Sequence, residues 1–184
     1  DYTPEYSYDV SKAKEYLDQY KAAVGVSDVS ITILAPDTAM YLQPAITLEG
    51  MLRDAGFTVT TEQIDRATFW ASMYAGNYQI AVTGTSYPVN DSDGNYIYFH
   101  SQSGQNYLKV SLPELDAAFE KGRQTSDEAE RTAAYAEVQK ILDDNAVVVP
   151  LHQPANAVAY NAALKGVDTT NDLYQHFVYD WSWK

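Results

Sequence analysis

Between Gly84 and Asp93 the chain reads GTSYPVNDSD, which gathers two serines, a phenol and two carboxylates in one short run. Gly84-Thr85-Ser86-Tyr87-Pro88 resembles a nucleophile elbow, where a sharp turn presents a serine, but the fifth position should be Gly and is Pro. A base for Ser86 would have to be His100, His152 or His176, and none belongs to a recognisable local motif. Ser11-Lys12-Ala13-Lys14 matches S-x-x-K, yet it occupies the first turns of an amphipathic helix and lacks the accompanying S-D-N and K-T-G. Asp91-Ser92-Asp93-Gly94 resembles part of a calcium loop, but in that register Val89 and His100 fall where carboxylates belong, so a turn is expected. Neither G-x-G-x-x-G nor a Walker sequence occurs, and with no cysteine there is no thiolate ligand, nucleophile or disulfide. No cofactor or metal is called for. Residues expected to contact a small ligand are Arg66, Gly84, Thr85, Ser86 and Tyr87, with His152 behind them.

Those residues need a scaffold, and the stretch from Phe57 to Pro88 reads strand, helix, strand. FTVTTEQI alternates β-branched residues with polar ones, as a half-buried strand does. Asp65 is suited to cap the following helix and Gly76 to end it. QIAVTG then feeds directly into the 84–95 loop. Units of this kind make parallel strands, and ligands of such sheets sit beyond the carboxyl ends. The loop is therefore expected to face a ligand.

Elsewhere the periodicity predicts a helix capped by Asp9, with Val10, Ala13, Leu17, Tyr20 and Val24 on its apolar face and Gly25 closing it. A strand follows at 29–34, then a helix carrying Tyr41, Ala45, Leu48, Leu52 and Ala55. Ser111 with Glu114, and Thr125 with Glu128, have capping-box spacing. They predict helices over 112–124 and 126–145, packed as an antiparallel pair because their connection is short. VVVPLH at 147–152 reads as a buried strand, and 157–160 as a further one. The expected fold is α/β: a mixed sheet on 29–34, 58–64, 79–85 and 147–152, with helices on its faces.

Composition narrows the partners. The 184 residues suit one domain, or a domain with an extension, and 46% hydrophobic residues are enough for a core. Twenty-five acidic against 12 basic residues, a net charge of −13, make nucleic acid and anionic membrane surfaces poor partners. Tyrosine supplies 16 residues, each with apolar area and a polar tip. The chain opens at Asp1 rather than Met and is expected to be a processed or cut-down piece.

Four phrases, taken in order, carry a resemblance. They are YDVSKAKEYLDQY, then LEGMLRDAGFTVTTEQIDRATFWASMYAGNYQIAVTG, then NYLKVSLPELDAAFEKGRQTSDEAERTAAYAEVQKILDDNAVVVPLH, and finally NDLYQHFVYDWSWK. From about Tyr8 to the end the chain resembles the C-terminal part of the peptide/nickel class of extracellular solute-binding proteins, family 5, the receptors of ABC importers. The resemblance implies one lobe of a two-lobed, periplasmic-binding-protein-like fold. Residues 1–155 would be part of the C-terminal lobe, and 156–184 an arm that crosses to the missing N-terminal lobe. It implies a non-enzymatic bacterial receptor, a lipoprotein at the cell surface or a periplasmic protein. Its partners would be a peptide or small-molecule solute and a membrane permease, with self-association through the arm as a further expectation. A nickel or other metal chelate is the alternative ligand, and a serine hydrolase using Ser86 the alternative class.

The binding loop departs from the family's pattern. Gly84 matches the family's glycine, and Thr85 stands where a tryptophan is usual. In the family's peptide receptors an Ala-Asp-Tyr follows, whose Asp holds the free amine of the ligand. Here that Asp falls on Pro88 or Ser86, neither acidic, which leaves Asp91 and Asp93 as nearby substitutes.

Overall fold

A computed structural model describes residues 7–85, 91–152, 159–167 and 178–183. The chain forms two compact units, Asp1–Val149 and Pro150–Lys184. In the first, α1 (Val10–Val24) precedes β1 (Ser30–Pro36), α2 (Ala39–Asp54), β2 (Thr58–Ile64), α3 (Arg66–Ala75) and β3 (Ile80–Ala81). A short 3-10 turn (Ser92–Asn95) and α4 (Tyr96–Phe99) lead to the long helices α5 (Pro113–Gln124) and α6 (Glu128–Asp144).

β1 lies in the middle of a parallel sheet of order β2-β1-β3. The path leaves β1 through α2 to reach β2, then crosses back through α3 to reach β3. Because such crossovers are right-handed, reversing the direction of travel puts the second helix on the opposite face. The side chains of β1 divide accordingly, since successive residues of a strand point to opposite faces. Ile33 and Ala35 pack with Ala45, Val59 and Val82 beneath α2, while Leu34 packs with Phe69, Met73 and Tyr107 beneath α3. Trp70 stands edge-on to Phe69 at 5.4 Å and to Tyr107 at 5.5 Å, and Tyr98 meets Tyr107 at 5.7 Å. Three tyrosines, Tyr78, Tyr98 and Tyr107, belong to this cluster.

The helical half is a second core. Phe99, Leu115, Phe119, Tyr135, Val138, Ile141 and Leu142 are buried together between α4, α5 and α6, and α5 and α6 pack side by side as their short connection requires. Gly122 makes the approach possible. A methyl group there would stand 2.8 Å from Cζ of Tyr135.

Local capping follows the sequence at some helix ends and departs from it at others. Asp9 accepts from the Lys12 N–H at 2.9 Å, Asp65 accepts from the Ala67 and Thr68 N–H groups, and Gly76 takes the left-handed conformation with φ 75°. The Ser111–Glu114 box does not form: Leu112 is the N-cap, one residue later, without a side-chain bond, and Pro113 opens the helix. The Thr125–Glu128 box is displaced as well. Asp127 caps α6 through the Glu130 N–H at 2.9 Å, and the Thr125 hydroxyl donates to the Glu130 carboxylate at 2.8 Å.

Two strand expectations are corrected. Residues 147–152 form no strand. The Val147 N–H closes α6 on the Leu142 carbonyl, Ala146 turns through φ 48°, and Pro150 has no N–H to offer a ladder. Val149 and Leu151 are consequently exposed. The 79–85 strand is shorter than expected, Ile80–Ala81, and forms an edge of the described sheet. The Gln79 side chain takes the place of its backbone, accepting from the Thr32 N–H at 2.7 Å. The apolar face of α1 is also only half used, with Leu17 buried but Tyr20 and Val24 exposed.

In the second unit β4 (Leu164–Lys165) pairs antiparallel with β5 (Ser182–Trp183). Of the run at 157–160, residues 159–160 are described and are not in a strand.

Candidate functional site

Parallel strands bring their carboxyl ends to one edge, and three of the residues singled out by the sequence arrive there. Pro36 of β1 is level with Ile64 of β2, so Arg66, two residues on, stands at the first position of α3 just past that edge. Leu34 is level with Ala81, so Gly84 and Thr85 follow β3 past the same edge on the other side of β1. The Val82 N–H still bonds the Leu34 carbonyl at 2.9 Å, which fixes how β3 leaves the sheet. With β1 between them, Arg66 and Gly84 are about two strand spacings, on the order of 10 Å, apart. All three are exposed. Ser86 and Tyr87 lie outside the described residues. His152 belongs to the second unit and is exposed there.

Tyr41, near the start of α2, completes this edge, and sequence reasoning assigned it only to the apolar stripe. A methyl group at Gly84 would stand 3.2 Å from the Tyr41 hydroxyl oxygen and 3.4 Å from its Cε1. Glycine at 84 thus lets the ring lie directly against the backbone that opens the loop.

Asp91 and Asp93 both have partners within the fold. Asp91 accepts from the Asp93 N–H at 2.8 Å and pairs with Arg131 at 2.6 Å. Asp93 accepts from the Tyr135 hydroxyl at 3.0 Å and faces Nε of Arg123 at 3.5 Å. Arg131 also donates to the Gly122 carbonyl at 3.1 Å and lies 5.0 Å from the Tyr135 ring centre, while Arg123 stacks 4.0 Å from the centre of the Tyr96 ring. Burial first, and then the bond to Asp93, push the Tyr135 phenol up to about 12. The one sequence signal for this cluster was Tyr135 itself, a hydroxyl set inside an otherwise apolar helix face that needs a partner when buried.

His100 is buried and engaged within the fold. Its Nδ1 accepts from the Gln102 N–H at 3.1 Å, its ring stacks on Tyr96 at 4.2 Å, and Nε2 faces Glu120 at 3.5 Å and Asp116 at 3.7 Å. Among the described residues no group of three His, Asp or Glu side chains is arranged to hold a metal ion.

Asp65 and Asp91 both sit below the usual carboxylate range. Asp65 is lowered chiefly by the Thr68 hydroxyl, and Asp91 by the Asp93 N–H and then Arg131. A carboxyl depressed in the folded state stabilises it fully above the ordinary carboxylate value, and that contribution is lost as pH falls through the lower, folded value. Both carboxylates are exposed, so only a modest drop in melting temperature is expected below about pH 4. Asp91→Asn is expected to flatten that drop in thermal melts run from pH 6 to pH 2.5; an unchanged acid slope would show that Asp91 gains nothing from its partners.

Residues 1–107 match the family described as bacterial extracellular solute-binding proteins, family 5 Middle. The probable D,D-dipeptide-binding periplasmic protein DdpA of Escherichia coli is 29% identical over 167 residues, which are 88% of this chain and 32% of that protein. The periplasmic oligopeptide-binding protein OppA of Haemophilus influenzae is 28% identical over 124 residues, 66% of this chain and 23% of its own length. The crystal structure of Haemophilus influenzae OppA in complex with RPPGFSPFR superimposes with a TM-score of 0.71 at 26% identity, covering 78% of this chain and 29% of that one. DppA of Helicobacter pylori in complex with the peptide STSA gives 0.68 at 25% identity, covering 77% and 28%. The chain spans a third or less of the length of these relatives.

Proposed function

We propose, for this chain, which belongs to the bacterial extracellular solute-binding proteins of family 5, that it forms most of the C-terminal lobe of a peptide receptor serving an ABC importer. One observation carries the reading. The carboxyl edge of the parallel sheet collects Arg66, Tyr41, Gly84 and Thr85, and that edge is where sheets of this type bind ligands. The peptides in the complexes of OppA and DppA support a peptide as the solute. Ser86 and Tyr87 would extend the site along the loop, and 156–184 would form a crossing arm. Closure of a second lobe over this edge would trap the peptide, the ligand stabilising the closed state by touching both surfaces. The receptor would work outside the cytoplasm beside its permease, anchored by lipid or free, and the arm would pair copies when the other lobe is absent.

The test is a titration of the isotope-labelled chain with STSA and with RPPGFSPFR, followed by amide chemical shifts. Saturable shifts are expected at Arg66, Tyr41, Gly84 and Thr85. Shifts confined to other surfaces, or none at millimolar peptide, would move the site elsewhere.

A further inference from the structure

In the described sheet β2 has β1 on one side and no strand on the other. Its peptide groups divide accordingly. The Thr58 N–H donates to the Val29 carbonyl and the Asp37 N–H to the Ile64 carbonyl, so the even-numbered residues of β2 face β1. Val59, Thr61 and Gln63 therefore turn their N–H and C=O groups outward, and an edge of that kind is a template for another strand. Two side chains of α2 occupy it instead. Glu49 and Arg53, one helical turn apart, form an ion pair at 2.6 Å. The Glu49 carboxylate accepts from the Thr61 N–H at 2.9 Å, and Arg53 donates to the Val59 carbonyl from Nη2 at 2.7 Å and from Nε at 3.2 Å. A donor on residue 59 and an acceptor on residue 61 are what one residue of a parallel strand, level with Thr60, would supply. The far side of β1 repeats the device on a smaller scale. Upstream of β3 the Gln79 amide accepts from the Thr32 N–H at 2.7 Å and stands 3.5 Å from the Ser30 carbonyl, in the place of a residue level with Ile31.

We propose that the Glu49–Arg53 pair is a false strand that closes the outer edge of β2 to the β2 strand of a second copy of this chain. The strand behind it is otherwise suited to such pairing. TVTTEQI is β-branched at five of its seven residues and carries one charge, Glu62. About a twofold axis at Thr61, Thr61 would meet Thr61, Val59 would meet Gln63, and Glu62 would meet Thr60, so no like charges are opposed. The planar guanidinium fork and the carboxylate hold the outward groups of Val59 and Thr61 in fixed directions, which leaves a competing strand its ladder broken at the centre.

The experiment compares the 184-residue chain with its Glu49→Ala/Arg53→Ala, Arg53→Ala and Arg53→Lys variants by sedimentation velocity and amide hydrogen exchange. Both are run from about 10 μM to about 1 mM in about 0.15 M salt, which screens the repulsion between copies of net charge −13. In the dilute double variant the Thr61 amide should exchange about tenfold faster than in wild type, while the amides of Val138 to Leu142 keep their protection. On concentration the double variant should associate about tenfold more tightly than wild type, the effect of a few added cross-strand pairs. The Val59, Thr61 and Gln63 amides should become protected as it does. Arg53→Ala should show part of this change. Arg53→Lys, whose ammonium still donates to the Val59 carbonyl, should show less. Should the double variant fail to fold, Arg53→Ala, which leaves Glu49 on Thr61, carries the association comparison alone. An unchanged Thr61 amide in the dilute double variant overturns the proposal, as does association no tighter than wild type. Association that leaves the three outward amides exchanging as before also overturns it, since contact through 156–184 would give that pattern.

Discussion

A short peptide titrated into this chain alone is expected to bind in the millimolar range, roughly a thousandfold more weakly than a receptor that closes two lobes over it. A micromolar complex is worth about −8 kcal/mol, and a ligand trapped between two lobes draws contacts from both. The carboxyl edge that carries Arg66, Tyr41, Gly84 and Thr85 is exposed at three of those four residues, so water stays in contact with any ligand resting there. Half the contacts leave on the order of −4 kcal/mol, which is a millimolar dissociation constant. Chemical-shift titration with STSA measures that range directly. A micromolar constant from calorimetry on the same chain would mean that one surface suffices, and the two-lobed trap would lose its reason.

The legible part of this fold is the part decided by neighbours in sequence. Asp65 and Gly76 enclose α3 because a cap bonds to N–H groups two and three residues away, and such pairs can be read from spacing. The Ser111–Glu114 box had the same kind of spacing and did not form, because the helix starts one residue later, at Pro113, with Leu112 as its N-cap. VVVPLH has every local mark of a strand, yet its first N–H is needed to finish α6. Strand order was less legible still, since hydrophobic alternation in 79–85 does not say which neighbour it pairs with. The placement of Arg66, Gly84 and Thr85 at the carboxyl edge was legible from a strand-end rule. The hold of Arg131 on Asp91 spans 40 residues, and no local pattern announces it.

Phe119→Ala is expected to cost about 3–5 kcal/mol, the largest effect of any single substitution considered for this molecule. Phe119 is fully buried on α5, and its ring meets Tyr96 edge-on at 5.7 Å, His100 at 6.3 Å and Tyr135 at 6.5 Å. These rings cannot collapse into the vacated space without breaking other contacts. Tyr96 carries Arg123 on its face, Tyr135 bonds Asp93, and the stacked His100 is bonded at Nδ1. A site that cannot relax keeps its cavity, and the cost sits toward the upper end of the range. A domain of this size is stable by about 5–15 kcal/mol, so the loss takes a large share of the whole. At about 2–4 °C per kcal/mol it lowers the melting temperature by on the order of 10 °C. The same helix pair then offers an internal contrast, because Arg131→Ala touches its rim and should barely move the melt. Urea unfolding of both variants reads the difference. A Phe119→Ala loss below about 1 kcal/mol would show that the α5–α6 core closes over the gap, and that the rings around Phe119 are less firmly tied than their bonds imply.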